Sequence, residues 1–207
     1  MLEYEISFRH STLNMNMESE KIMPKVVIIS GSPNPISRLN GIVDHIEERL
    51  VSLGLDVRFL HVASLPAEDL ILARFDSPSI VEANRIVAEA DAIVIASPVY
   101  KAAYTGVLKT YLDLLPQKGL EGKVILPLFI GGTIAHLLAI DYALKPVLSA
   151  LYARHITAGV YAVDKQITKT EDGSFILEEE LILRLNAAVA GFVEATALFA
   201  PEVAPQT

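Results

Sequence analysis

Cysteine is absent from the 207 residues. That removes disulfide staples, thiolate metal sites and cysteine nucleophiles, and it fits a reducing, cytoplasmic setting. Basic residues are scarce: 17 Lys and Arg against 25 Asp and Glu leave a formal net charge of −8. A phosphate backbone repels such a surface, so no nucleic-acid partner is expected. Long hydrophobic runs are missing although 52 % of the residues are hydrophobic. The most apolar stretch, 124–140, is interrupted by Pro127, Gly131, Gly132, Thr133 and His136. A membrane-spanning helix needs about 20 mainly apolar residues, so no membrane partner is expected and the apolar excess must fill a folded core. The histidines at 10, 45, 61, 136 and 155 lack ligand spacing, which argues against a metal site. No Gly-x-Ser-x-Gly elbow occurs, so no hydrolase serine is marked by motif.

The length suits one domain. Residues 1–23 carry no sustained periodicity and read as a poorly ordered extension, residues 24–200 as the domain, and 201–207 as a tail. Lys25-Val-Val-Ile-Ile-Ser30 is a β-branched run of the kind buried on both faces of a parallel sheet. Further strands are expected at 56–61, at 92–96 ending on Ser97-Pro98, at 123–130 and at 156–163. Helices are expected at 40–53, 79–90, 105–115 and 177–198, from apolar stripes at helical spacing. Residues 64–78 read as a loop with at most a short helical piece. The segment 134–151 reads as helical with a break at Pro146. Residues 165–174 read as a polar connection turning at Asp172-Gly173. Five apolar strands alternating with helices imply a three-layer, doubly wound α/β fold with strand order 2-1-3-4-5.

In such a sheet, ligands bind beyond the carboxyl ends of the strands where the order reverses, which directs attention to three loops. The first, Gly31-Ser-Pro-Asn-Pro-Ile-Ser-Arg-Leu-Asn40, is neither the three-glycine dinucleotide fingerprint nor a P-loop. Ser32, Ser37 and Asn40 offer neutral donors, Arg38 a charged fork, and the next helix its free amides, a set suited to one phosphate. The alternative is an ordinary capped turn. The second loop, Ser97-Pro-Val-Tyr-Lys-Ala-Ala-Tyr104, sets Tyr100 at the rim and Lys101 within reach of a second anion, unless both tyrosines simply pack. In the third, Gly131-Gly132 allow close backbone approach to a planar ring, and Thr133 is either a contact or a helix cap. His136, one turn on, reads as a helix-packing or ring-edge residue rather than a proton donor. A phosphate subsite beside two flat walls suits a mononucleotide with a planar ring, FMN above all. Tyr142 lies among Leu137, Leu138, Ile140 and Leu144, on a segment apolar enough to need burial, either within the fold or against another subunit.

With these residues in view, the sequence resembles the NADPH-dependent FMN reductases, in particular the reductase components of two-component alkanesulfonate monooxygenase systems. The likeness is carried by Gly31-Ser-Pro…Ser37-Arg38, Pro66-Ala-Glu-Asp-Leu70, Ala73-Arg-Phe-Asp-Ser-Pro78, Ser97-Pro-Val-Tyr-Lys-Ala-Ala-Tyr-Thr-Gly106, the stretch from Leu108 to Pro116, and Gly131-Gly-Thr through Leu151. It runs from about Lys25 to Asp164. Leu39 and Asn40 stand where the family often has serine. The resemblance implies a flavodoxin-like fold, reduction of FMN by NADPH or NADH, transfer of the reduced flavin to an FMN-dependent monooxygenase, and a homodimer or homotetramer. It implies FMN contacts from Ser32, Ser37, Arg38, Leu39, Asn40, Pro98, Val99, Tyr100, Lys101, Gly131, Gly132, Thr133 and His136. The resemblance further implies that hydride passes directly between stacked rings, flanked by Tyr100 and Gly132, with no catalytic acid–base residue required. A quinone or azo-dye reductase on the same scaffold, or a flavodoxin-like electron carrier, are the competing readings.

Overall fold

The computed structural model describes residues 23–199. The N-terminal extension expected from the sequence, apart from Met23, and the tail lie outside them. The chain runs β1 (Lys25–Ser30), α1 (Arg38–Ser52), β2 (Asp56–His61), α2 (Ala67–Ile71), α3 (Pro78–Ala88), β3 (Ala92–Tyr100), β4 (Ala103–Tyr104), α4 (Gly106–Leu112), β5 (Val124–Gly131), α5 (Lys145–Ala150), β6 (His155–Ile156), β7 (Val160–Val163), β8 (Ile167–Lys169), β9 (Phe175–Leu177) and α6 (Glu179–Phe199).

Parallel pairing gives the order β2-β1-β3-β5, with β6 and β7 in turn along the far edge of β5. This is the expected 2-1-3-4-5 winding with its fifth strand in two pieces. The register slips by one residue between Ile125↔Ile156 and Leu128↔Val160. The slip lies beside Pro127, which has no N–H to offer a neighbour. Alternation along the strands builds two apolar layers. Ile29, Ile93, Ile95, Ile125 and Phe129 pack under α3, α4 and α5. Val26, Ile28, Val94, Leu126 and Leu128 pack under α1 and α6. Each such side chain stabilises the fold by about 1.5–3 kcal/mol through burial. α6 is long and apolar enough to cross a bilayer by length and composition, but its Leu181, Leu185, Val189 and Phe192 stripe fills the second layer.

Three features depart from the sequence expectation. β3 runs on to Tyr100 instead of ending at Ser97-Pro98, because it gains β5 and the short β4 as partners while β1 has already stopped at Ser30. The missing Pro98 N–H therefore costs no ladder bond on the β1 side. The irregularity in 134–151 precedes Pro146: Ile134–His136 is a 3₁₀ turn and Ile140–Leu144 a π-turn, and Pro146 sits in the first turn of α5, where no N–H is needed. The polar connection after Lys165 contains the two-stranded antiparallel β8–β9 arm. At its Asp172-Gly173 turn, Gly173 takes φ +89°. Hydrogen bonds from Thr170 and Ser174 pull the Asp172 carboxyl down to about 2.

Buried polar bonds stitch the first two loops to α4. The Thr105 hydroxyl donates to the Gly31 carbonyl at 2.6 Å and accepts from the Leu108 amide at 3.1 Å. The Thr105 amide donates to Ser97 Oγ at 3.1 Å, and the Gly31 amide to the Ala96 carbonyl at 2.8 Å. Gly31 itself has no positive φ. It is glycine because a Cβ there would stand 2.5 Å from Leu108 Cβ.

Thr105→Val strands a carbonyl and an amide in the interior, each worth about 1–3 kcal/mol. Urea unfolding is expected to show a loss of about 2–6 kcal/mol, most of it restored in Thr105→Ser. On α1, the Asp44 carboxyl is held above its usual range, by partial removal from water and then by Glu47 and Glu48. A folded-state pKa raised in this way penalises folding above that pKa and not below the unfolded one. Asp44→Asn should therefore raise Tm at pH 7 and leave it unchanged near pH 3.

Candidate functional site

Ser30, Ala96 and Leu128 lie side by side in register; β1 ends there, while β3 runs on to Tyr100 and β5 to Gly131, so the loop after β1 faces the projecting ends of both neighbours. They enclose a cleft of about 320 Å³. Its walls are Asn34, Ile36, Ser37 and Arg38 from the first loop, Pro98, Val99 and Tyr100 from the second, and Ile130, Gly131 and Gly132 from β5 and its loop. Asp164, Lys169 and Phe175 close it from beyond the last sheet strand.

The first wall is shaped by its own side chains. Asn34 Oδ1 accepts the Ile36 amide at 2.9 Å, and Ser37, the N-cap of α1, accepts the Leu39 amide at 3.2 Å. Arg38 Nε donates to the Ile167 carbonyl at 3.2 Å. Among the described residues its other guanidinium N–H groups have no protein acceptor. They stand at the start of a 15-residue helix, whose free amides carry partial positive charge. This end of the cleft can hold a phosphate.

The second wall is a two-residue hairpin. Tyr100 pairs with Ala103 across Lys101 and Ala102, which take φ +52° and +65°. Two non-glycine residues in the left-handed region make a strained tight turn. Tyr100 is 54 % exposed at the rim. In the third wall, a Cβ on Gly131 would fall on the Tyr161 hydroxyl, so only glycine lets that ring pass beneath β5. Gly132 has open space toward the cleft, with Asp164 as the nearest side chain. Gly131 and Gly132 thus give this side of the cleft backbone without side chains.

Seven of the thirteen residues marked by the sequence share this cleft: Ser37, Arg38, Pro98, Val99, Tyr100, Gly131 and Gly132. Six lie off its lining. The Ser32 hydroxyl is spent inside the loop, donating to the Asn34 carbonyl at 2.8 Å. Leu39 is fully buried against β1 and α6. Asn40 donates to the Pro35 carbonyl at 2.7 Å and faces a neighbouring groove with Asp44, His45 and Glu48. Lys101 sits exposed at the hairpin tip, and Thr133 and His136 are exposed on the 3₁₀ turn, where Thr133 accepts the Ala135 amide at 2.9 Å. Asp164, Lys169 and Phe175 escaped sequence reasoning. The one available signal was Phe175 and Leu177 alternating beyond a Asp172-Gly173 turn. Among the described residues no cluster of His, Asp or Glu could hold a metal.

Residues 24–168 match the NADPH-dependent FMN reductase family. The FMN reductase (NADPH) of Escherichia coli (strain K12) is 50 % identical over 143 residues, covering 69 % of this chain and 75 % of its own. The NADH-dependent FMN reductase SfnF of Pseudomonas putida is 32 % identical over 142 residues, covering 67 % and 76 %. Among solved structures, an apo NADH:FMN oxidoreductase (EMOB) superposes with TM-score 0.73 at 34 % identity, covering 87 % of this chain and 92 % of that one. A flavodoxin from Streptococcus pneumoniae, at TM-score 0.55 and 17 % identity, shares the fold, covering 83 % and 98 %. The chain belongs to the NADPH-dependent FMN reductase family, an oxidoreductase of flavodoxin-like fold that takes FMN and a reduced nicotinamide nucleotide.

Proposed function

We propose that FMN lodges phosphate-first in this cleft, with Ser37, Arg38 and the α1 amides on the phosphate and with Pro98, Val99, Tyr100, Gly131 and Gly132 around the ring. The observation that carries the reading is the meeting, in one cleft, of uncommitted Arg38 N–H groups at a helix start and a wall stripped of side chains at Gly131-Gly132. When bound, FMN supplies the ring that accepts hydride from the nicotinamide. The protein's part is to hold the ring in stacking geometry and to direct amide dipoles from Gly132 toward the charge that the ring gains. The Tyr100 rim leaves the outer face of the ring open to the donor, which we take to be NADPH, with NADH as the alternative.

We further propose that the reduced flavin leaves for an FMN-dependent monooxygenase, in desulfonation of small sulfonates, within a cytoplasmic homo-oligomer. A cleft open on its outer side supports release. Ile134, Leu137, Leu138 and Tyr142, the last 80 % exposed, form an apolar face that a second copy would cover.

FMN titration by calorimetry tests the site. Arg38→Ala should weaken binding by about 1.5–3 kcal/mol, the worth of a charge-assisted hydrogen bond. Unchanged affinity would remove Arg38 from the phosphate. Consumption of NADPH followed with and without added FMN tests the reaction. Turnover that scales with free FMN is expected, whereas no oxidation of either nicotinamide would point to an electron carrier.

A further inference from the structure

The Gly131–Thr133 wall leaves the sheet after its first residue. Pairing with β7 ends at Gly131↔Val163, and the hydrogen bonds that follow are local: Thr133 Oγ1 accepts the Ala135 amide, and the Ile134 carbonyl accepts the Leu137 amide. One side chain from elsewhere among the described residues hydrogen-bonds to this stretch. Tyr161, on β7 and 5 % exposed, passes its ring beneath Gly131 and donates its hydroxyl to the Thr133 carbonyl at 2.8 Å. Its backbone is itself held, by the Phe129↔Tyr161 register and by Arg184 Nη2 donating to the Tyr161 carbonyl at 2.6 Å. Packing alone does not call for this hydroxyl, since phenylalanine would fill the same volume. Burial, and after it the Asp164 carboxylate, push the phenol above its usual range.

We infer that Tyr161 is a positioning residue: its hydroxyl, bound to the Thr133 carbonyl, sets the amide-bearing Gly131–Thr133 wall at the distance a flavin ring requires. The inference rests on the reading that the cleft holds FMN. It explains why β5 ends in glycine, because the hydroxyl can reach Thr133 only by crossing the space a Cβ would fill. It also separates two functions within one site, with Arg38 acting on the phosphate and Tyr161 acting, through the wall, on the ring.

The test compares Tyr161→Phe with Arg38→Ala for binding of FMN and of riboflavin, which has the ring without the phosphate. Tyr161→Phe should weaken both ligands alike, by about five- to tenfold, the loss of one buried hydrogen bond. Arg38→Ala should weaken FMN alone. In flavin-free protein, amide hydrogen exchange at 132–136 should quicken in Tyr161→Phe while the β5 amides stay protected. Native affinity for both flavins with native exchange would reduce Tyr161 to packing, and so would a loss confined to FMN. If Arg38→Ala leaves FMN untouched, the phosphate-first reading fails, while the exchange result still decides whether Tyr161 holds the wall.

Discussion

One buried hydroxyl, that of Thr105, governs the crevice. It joins the Gly31 carbonyl at the end of β1 to the Leu108 amide in the first turn of α4. The Thr105 amide is tied to the Ser97 hydroxyl within β3. In a low-dielectric interior such a bond is strong when made and costly when broken. Because it sits directly under the switch point, two of the three walls inherit their spacing from it. The third is secured by a separate bond from the other edge of the sheet, Tyr161 to Thr133. The opening between the walls is therefore set by interior bonds, while the surfaces facing outward remain free for ligands.

How much of this was legible depends on the range of the forces involved. The sheet strands announced themselves as β-branched runs, and α1 and α3 as apolar stripes, because burial imposes those patterns locally. The switch-point rule then located the three loops without any motif. The β8–β9 arm was hidden: Ile167 and Phe175 are scattered in a polar stretch, and what orders them is contact with Gly41 of α1, more than a hundred residues earlier. The continuation of β3 was hidden for another reason. Its hairpin turns on Lys101 and Ala102, where no Asn-Gly or Asp-Gly marks the bend. Residues chosen by chemical type alone fared unevenly. Arg38 faces the cleft, whereas Ser32 and Asn40 spend their donors on their own loop.

Electrostatics work locally against the sign of the whole. The chain is acidic overall, and cations such as Arg74, Arg85, Lys109 and Lys145 lie within 4 Å of carboxylates on its surface. Such exposed pairs contribute about 0–1 kcal/mol each. Arg38 and Lys169 are spared pairing of this kind among the described residues, and both border the cleft, where Asp164 is the one carboxylate in the lining. An acidic exterior thus coexists with a small region that favours anions, and helix amides add to it.

The division of the core has a consequence for synthesis at the ribosome. Ile42, Ile46 and Leu50 of α1 emerge early, yet the side chains that shield them, Leu181 to Phe192 of α6, are translated some 130 residues later. Chains grow at about 5–20 residues per second, so that flank of the nascent sheet stays greasy for many seconds. The last side chain lining the cleft, Phe175, also arrives only with the arm that precedes α6. The cleft is thereby completed late, in a nearly finished polypeptide.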